Sequence, residues 1–197
     1  MLGEDLVLMV SNHGMEILDP DDGSVRLDYQ WKFFGYRSLQ PLVLDNTVIL
    51  PTGLGAGTRR IKLTKSDDAS FLEANELWTS MQLMPDFNDL VAYQGYLYGF
   101  DNAIFTCIDV ETGERAWKGG RYGKGQVLLL RNSELLLVAS EKGEFVMLQP
   151  DPSGHTELGR FQAINGKTWN HPVVVGDRLF IRNAEEAACY QLPTAGQ

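Results

Sequence analysis

The sequence predicts an all-β chain built from a repeated unit of four short strands, the pattern of a β-propeller. Three observations predict it. The apolar residues fall in short runs rich in Val, Leu, Ile, Phe and Tyr, each bounded by Gly, Asn, Asp or Pro. No window longer than a turn keeps a 3.6-residue apolar period. The one tempting stretch, from Ala69 to Thr79, has helix formers but carries an aromatic that recurs along the chain. One phrase then repeats: apolar strand, turn, apolar strand, polar kink, third strand, acidic turn, aromatic. The closing aromatics are Trp31, Trp78, Trp117 and Phe161, at a spacing of roughly 40–45 residues, which is the length of a four-stranded blade.

Taken in order, the first unit (5–39) has strands in 6–10 and 14–19 and an acidic turn at Asp22-Gly23, but lacks a leading strand. The second (40–80) opens with two strands in 42–50, turning at Asp45-Asn46. The third (81–120) is the clearest copy, with a turn at Gln94-Gly95 and the phrase that ends at Trp117. The fourth (121–163) has strands in 128–138, turning at Asn132-Ser133, and a third in 143–148. The fifth (164–192) turns at Gly176-Asp177 and stops after three strands. Gly and Asn suit these tight turns because they tolerate positive φ. Setting Asn88 against Asn170 aligns Val91 with Val173, Leu97 with Leu179 and Cys107 with Cys189. The expected strand tally is three, four, four, four and three. Three plus three overfills one closing blade, so the expectation is four to five consecutive blades of a larger ring of seven or eight, or a half-ring that pairs with another chain.

Composition bounds the function. A chain of 197 residues with 44% hydrophobic and 22% charged residues suits one folded domain spanning 1–197. A net charge of −9 argues against nucleic acid, whose phosphates repel acidic surface. The longest apolar runs, 6–10 and 127–130, are far too short for a membrane span. The opening Met1-Leu2-Gly3-Glu4-Asp5 has neither the basic nor the apolar part of a signal peptide. Cys107 and Cys189 lie inside strand-like runs and are expected to be small buried thiols.

Several motifs invite chemistry. Gly53-Leu54-Gly55-Ala56-Gly57 has the wrong spacing for a dinucleotide fingerprint and is followed by a strand, so it reads as a blade loop. Asp19-Pro20-Asp21-Asp22-Gly23 begins like a calcium loop but lacks the remaining ligands and the closing Glu. His13 and His155 fall in turn-like segments and are expected to be solvated. His171 stands out, because Trp169-Asn170-His171 precedes an innermost-type strand. Its counterparts are Asn88 in the third unit, Gln40 in the second, and Lys124 and Gln126 in the fourth. These positions are expected near one mouth of a central channel, where a ligand could bind. Arg121, Lys124 and Arg182 are cations that could hold a carboxylate or phosphate there. No Ser/His/Asp or Cys/His nucleophile arrangement is recognisable.

The phrase Cys107-x-Asp109-x-x-Thr112-Gly113-x-x-x-Trp117 resembles the tryptophan-docking motif of the pyrroloquinoline-quinone-like (PQQ-like) β-propeller repeat. The first copy keeps the turn and has Leu27 at the tryptophan position; the fourth keeps Gly154 and substitutes Phe161. The resemblance implies a quinoprotein-type propeller in which Trp31, Trp78, Trp117 and Phe161 dock neighbouring blades. Families with this repeat include quinoprotein dehydrogenases, the outer-membrane assembly lipoprotein and exported bacterial propellers, which implies a bacterial periplasm or cell envelope. The expected role is a non-catalytic scaffold needing no cofactor. Its partner would be a protein or a second copy of the chain, held through exposed blade edges as a homodimer. The alternative is a fragment of a quinoprotein-type oxidoreductase or small-ligand sensor, with PQQ and calcium at the channel mouth. The adjacent-cysteine pair of the alcohol-oxidising members is missing.

Overall fold

The computed structural model describes residues 1–31, 38–53, 55–68 and 70–193. Leu54 of the glycine loop, Ala69 of the helix-like stretch and residues 32–37 of the first repeat lie outside the described residues. The chain forms two compact units, residues 1–87 and 88–197.

In the first unit, strands β1 (Val7–Ser11), β2 (Gly14–Leu18) and β3 (Val25–Gln30) form one antiparallel sheet. Strands β4 (Leu42–Leu44), β5 (Thr47–Pro51), β6 (Thr58–Lys65) and β7 (Leu72–Ser80) form a second. The stretch rich in helix formers is thus the outer strand β7. Period-two alternation turns Met15 and Ile17 of sheet 1 toward Val48, Leu50, Ile61 and Leu63 of sheet 2, and all six are buried.

In the second unit, β8 (Val91–Tyr93), β9 (Tyr96–Asp101), β10 (Ile104–Asp109) and β11 (Arg115–Arg121) form sheet 3. Sheet 4 contains β12 (Gln126–Leu130), β13 (Leu135–Ala139), β14 (Glu144–Gln149) and β15 (Thr156–Gln162). Sheet 5 contains β16 (Val173–Val175), β17 (Arg178–Arg182) and β18 (Ala187–Gln191). All five sheets are meanders of sequential antiparallel strands, as in a β-propeller. Sheet 4 is apolar on both faces because both are covered: Val127, Leu136 and Val138 pack with sheet 3, whereas Leu137, Ala139 and Phe145 pack with sheet 5. The β9–β10 and β17–β18 pairs reproduce the alignment of Leu97 with Leu179 and Cys107 with Cys189.

Coverage, not sequence, separates the two cysteines. Cys107 is buried between sheets 3 and 4, and burial pushes its thiol up to about 12. Cys189 sits at the matching place on β18 and is exposed, correcting the expectation of two buried thiols; no further sheet covers that face among the described residues. The turn between β12 and β13 also differs from expectation. It is a 3₁₀ turn over Arg131–Ser133 closed by Glu134 in the left-handed region, not a two-residue hairpin at Asn132-Ser133.

The outer strands of sheets 1 to 4 share a bulge at a common register; β11 carries a second irregularity near Ile104, and β18 pairs with β17 without one. Immediately before it on the partner strand, Ile17 faces Leu27, Arg60 faces Trp78, Cys107 faces Trp117 and Met147 faces Gly159. Trp78 and Trp117 are therefore structural counterparts, with Leu27 in the first sheet. Phe161 is not one, because the longer turn before β15 puts Gly159 in that place and pairs Phe161 with Phe145. Trp31 follows the end of β3 and lies under the Arg59 guanidinium, 3.6 Å from the ring centroid. Trp117 donates its indole N–H to the Asp151 carbonyl at 2.7 Å, tying sheet 3 to the acidic turn of sheet 4. Phe161 meets Tyr190 of sheet 5 edge-on at 5.0 Å.

The turn before Trp117 is built by its own side chains. Asp109 Oδ1 accepts from the Glu111 and Thr112 amides at 2.8 Å each, and Gly113 closes the turn at φ +71°. In the first sheet, Asp19 Oδ1 takes the Asp21 amide and Asp22 Oδ1 takes the Ser24 amide, so these carboxylates serve the turn.

His155, expected to be solvated, is half-buried. Its Nε2 lies 2.8 Å from the Tyr122 hydroxyl and its ring meets Trp117 edge-on at 5.6 Å. Burial holds the imidazole below its ordinary value of 6.5. The unfolded chain therefore takes up this proton first, and stability is complete above that value and falls as pH drops through it. Urea midpoints measured between pH 7.5 and 5.5 are expected to fall further for the wild-type chain than for His155→Gln. Equal slopes would remove His155 as the cause.

Candidate functional site

The segments that lead into the first strands of sheets 3, 4 and 5 converge on one hydrogen-bonded network. Asn88, fully buried, donates from Nδ2 to the Gly125 carbonyl at 2.5 Å. Gln126 opens β12 with its side chain buried. Its Oε1 accepts the Asp89 amide at 3.0 Å and its Nε2 donates to the Trp169 carbonyl at 3.2 Å. His171 Nε2 lies 2.6 Å from Asp89 Oδ2, joining the segment before β16 directly to the one before β8. These entries are tied because polar side chains of one meet backbone groups of the next: Asn88 the Gly125 carbonyl, and Gln126 the Asp89 amide and the Trp169 carbonyl.

Glu141 is a second node that the sequence reading missed. It lies in the turn after β13; Oε1 accepts the Trp169 indole N–H at 2.8 Å and Oε2 accepts the Lys124 amide at 3.2 Å. Lys167 Nζ stands 4.4 Å from the centroid of the Trp169 ring. The available signal was position: Glu141 falls in the polar kink between second and third strands that the repeat marks elsewhere with Asp101-Asn102.

Of the residues singled out in the sequence, Asn88, Lys124, Gln126, Trp169 and His171 meet in this network. Asn170 lies at its rim, in a small recess with Lys167, Asn183 and Glu185. Arg121 lines a recess with Tyr122, Ser140, Glu144 and the network's own Glu141. Arg182 lies on the exposed face of sheet 5, in a shallow groove with His171, Val173, Phe180 and Cys189.

The charged groups of the network meet one another. Its carboxylates, Asp89 and Glu141, face His171 and the Trp169 and Lys124 N–H groups, while Arg121 shares a recess with Glu141 and Arg182 shares a groove with His171. Among the described residues, no group of three or more His, Cys, Asp and Glu could hold a metal. Truncation of Gln126 to Ala would leave the Asp89 amide and the Trp169 carbonyl without this partner. A loss of about 1–3 kcal/mol is expected in urea denaturation, since unmet buried polar groups carry that cost. A loss below about 0.5 kcal/mol would mean that water replaces the amide.

No protein-family model and no curated protein sequence matches the chain. Solved structures do. The computationally designed protein Ika8 superposes with a TM-score of 0.66 at 8% identity over 98% of this chain. A Bacteroides fragilis protein described as a 6-phosphogluconolactonase gives 0.62 at 11% over 93%. BamB from Moraxella catarrhalis gives 0.51 at 17% over 96% of this chain and 70% of its own. The chain spans 57% of Ika8 and 61% of the Bacteroides protein. With BamB and the Bacteroides protein both propellers, the likeness and the five antiparallel sheets support a β-propeller fold. No helix among the described residues is long and apolar enough to cross a membrane.

Proposed function

We propose that the chain is a non-catalytic PQQ-like propeller segment that serves as an interaction scaffold, four to five blades of a ring of seven or eight, working in a bacterial cell envelope. One observation carries the scaffold reading: the outward face of sheet 5 presents Val173, Val175 and Phe180 to solvent, with Val175 62% exposed. A clustered apolar face is what a protein partner covers. The network at the strand entries supports the same reading, since its polar groups hold one another. The superposition on BamB is consistent with a propeller of this kind.

A second reading has one observation in its favour. The recess of Lys167, Trp169, Asn170, Asn183 and Glu185 offers an aromatic face, a cation and an amide to a small polar ligand at the expected channel mouth.

Titration of the tryptophan fluorescence with pyrroloquinoline quinone, with and without calcium, separates the two. Trp169 is 41% exposed and borders the recess, so it reports occupancy there. The scaffold reading expects no saturable response. Saturable, calcium-dependent quenching would overturn it and restore the oxidoreductase or sensor reading.

A further inference from the structure

The end sheets carry complementary faces. Three buried clusters among the described residues each join one sheet face to another: sheet 1 to sheet 2, sheet 3 to sheet 4, and sheet 4 to sheet 5. Sheets 1 and 5 each keep one outward face exposed. On sheet 5, Val173 pairs with Phe180 and Phe180 with Cys189, which makes an apolar row across all three strands. Arg178 and Arg182 flank Phe180 on the same face of β17, as the alternation with buried Leu179 and Ile181 requires. Asp177 Oδ1 stands 3.6 Å from Arg178 Nε.

The outward face of sheet 1 has the opposite sign. Val7, Met9 and Val25 are exposed on it, Met9 at 54%. Glu16 stands directly opposite Asp28 across β2 and β3, and both are exposed. Two carboxylates in register repel each other. Gln30 donates to Asp28 Oδ1 at 2.5 Å, which brings no charge.

We propose that the outward face of sheet 5 docks on the outward face of sheet 1 of a second copy of this chain. The apolar rows cover each other, as the internal layers do, and Arg178 and Arg182 meet the Glu16–Asp28 pair. Charge sets the orientation. Sheet 5 against sheet 5 would oppose arginines, and sheet 1 against sheet 1 would oppose carboxylates, so the contact is head-to-tail. Such a contact either closes into a ring or continues as a chain of copies. The inference rests on the scaffold reading and names its partner.

Sedimentation velocity of the purified chain over a concentration range, at low and high salt, tests it. Association that strengthens with concentration and weakens with salt is expected, because the charges are exposed. Arg178→Glu with Arg182→Glu, and separately Glu16→Arg with Asp28→Arg, are each expected to weaken it on the order of tenfold or more. Mixing the two variants, or joining all four substitutions in one chain, should restore it, and a misfolded variant could not do so. A wild-type monomer at every concentration overturns the proposal. So does association that survives either reversal or that mixing fails to restore. A monomer with a flat quinone titration overturns the association alone; a monomer with saturable, calcium-dependent quenching overturns the scaffold reading as well.

Discussion

Phe105→Ala is expected to destabilise the protein by about 3–5 kcal/mol, the range for removing a fully buried aromatic. Phe105 is the second residue of β10 and has no solvent exposure. It meets Phe100 edge-on at 5.2 Å and lies 6.1 Å from Trp117 and 6.2 Å from Tyr122. Collapse into the cavity would require these rings to move. Trp117 is held by the Asp151 carbonyl, and Tyr122 by His155 and by the hydrogen bond its backbone N–H donates to the Ala103 carbonyl. The upper half of the range follows from that anchoring. Urea denaturation followed by near-ultraviolet dichroism reads the loss. Phe105→Leu, which fills most of the volume, should lose about 1–1.5 kcal/mol. A Phe105→Ala loss below about 1.5 kcal/mol would mean that the aromatic cluster repacks freely and does not fix sheet 3 on sheet 4.

The same cluster explains how one repeated phrase produces sheets with different surroundings. A strand alternates its side chains between two faces, so one sequence pattern serves a sheet covered on both sides or on one. Sheet 4 uses both faces. Sheet 5 follows the third repeat closely in sequence, yet Val173, Phe180 and Cys189 are exposed because the neighbour that covers Val91, Tyr98 and Cys107 has no counterpart there. The polar strand entries do the opposite. They draw β8, β12 and β16 toward one another through Gln126 and through the His171–Asp89 pair, so the candidate site follows from repeat geometry rather than from a dedicated motif.

Much of this was legible in the sequence. The third and fifth units aligned strand for strand, and the tally of three, four, four, four and three strands matches the five sheets. Period and turn chemistry are local, so a reader of residues can recover them. Coverage is not local, and it is where the reading of Cys189 failed. Register was readable only where turn lengths agree. Trp78 and Trp117 share a place beside the bulge, but a longer turn moved Phe161 out of it. His155 lay in a turn-like segment that gave no sign of Trp117 and Tyr122 folding over it. Glu141 was missed because its two partners, the Lys124 amide and the Trp169 indole, lie in other elements, and such a node has no signature in a linear sequence. Of the eight candidate mouth residues, those tied to the strand entries came together. Arg121 and Arg182, chosen for charge and not for position in the repeat, border that network at Glu141 and His171.

Gly143→Ala is expected to cost about 2–5 kcal/mol, and the reason repeats through the fold. Gly143 opens the third strand of sheet 4 at φ +81°, where a side chain is strained. A Cβ there would stand 2.1 Å from the Ile164 carbonyl oxygen. The Ala163 and Ile164 amides both donate to the Gly143 carbonyl, at 2.9 and 3.1 Å. Relief of the clash therefore means lifting the end of the fourth strand and losing bonds worth about 1 kcal/mol each, in addition to the backbone strain. The same crossing recurs at Gly14, whose Cβ would meet the Tyr29 carbonyl oxygen at 2.0 Å, and at Gly57, whose Cβ would meet that of Ser80 at 2.3 Å. Sheet 3 has Ala103 at the crossing, with the Tyr122 and Gly123 amides on its carbonyl, and places the left-handed residue one position earlier at Asn102. Gly154→Ala is the control, because no atom lies within 4 Å of the Cβ it would add and its φ lies outside the strained region. Its urea midpoint should stay within about 0.5 kcal/mol of the wild type. A difference between the two variants below about 1 kcal/mol would mean that the strand ends shift at little cost, and that the crossing glycines do not hold the outer strands in place.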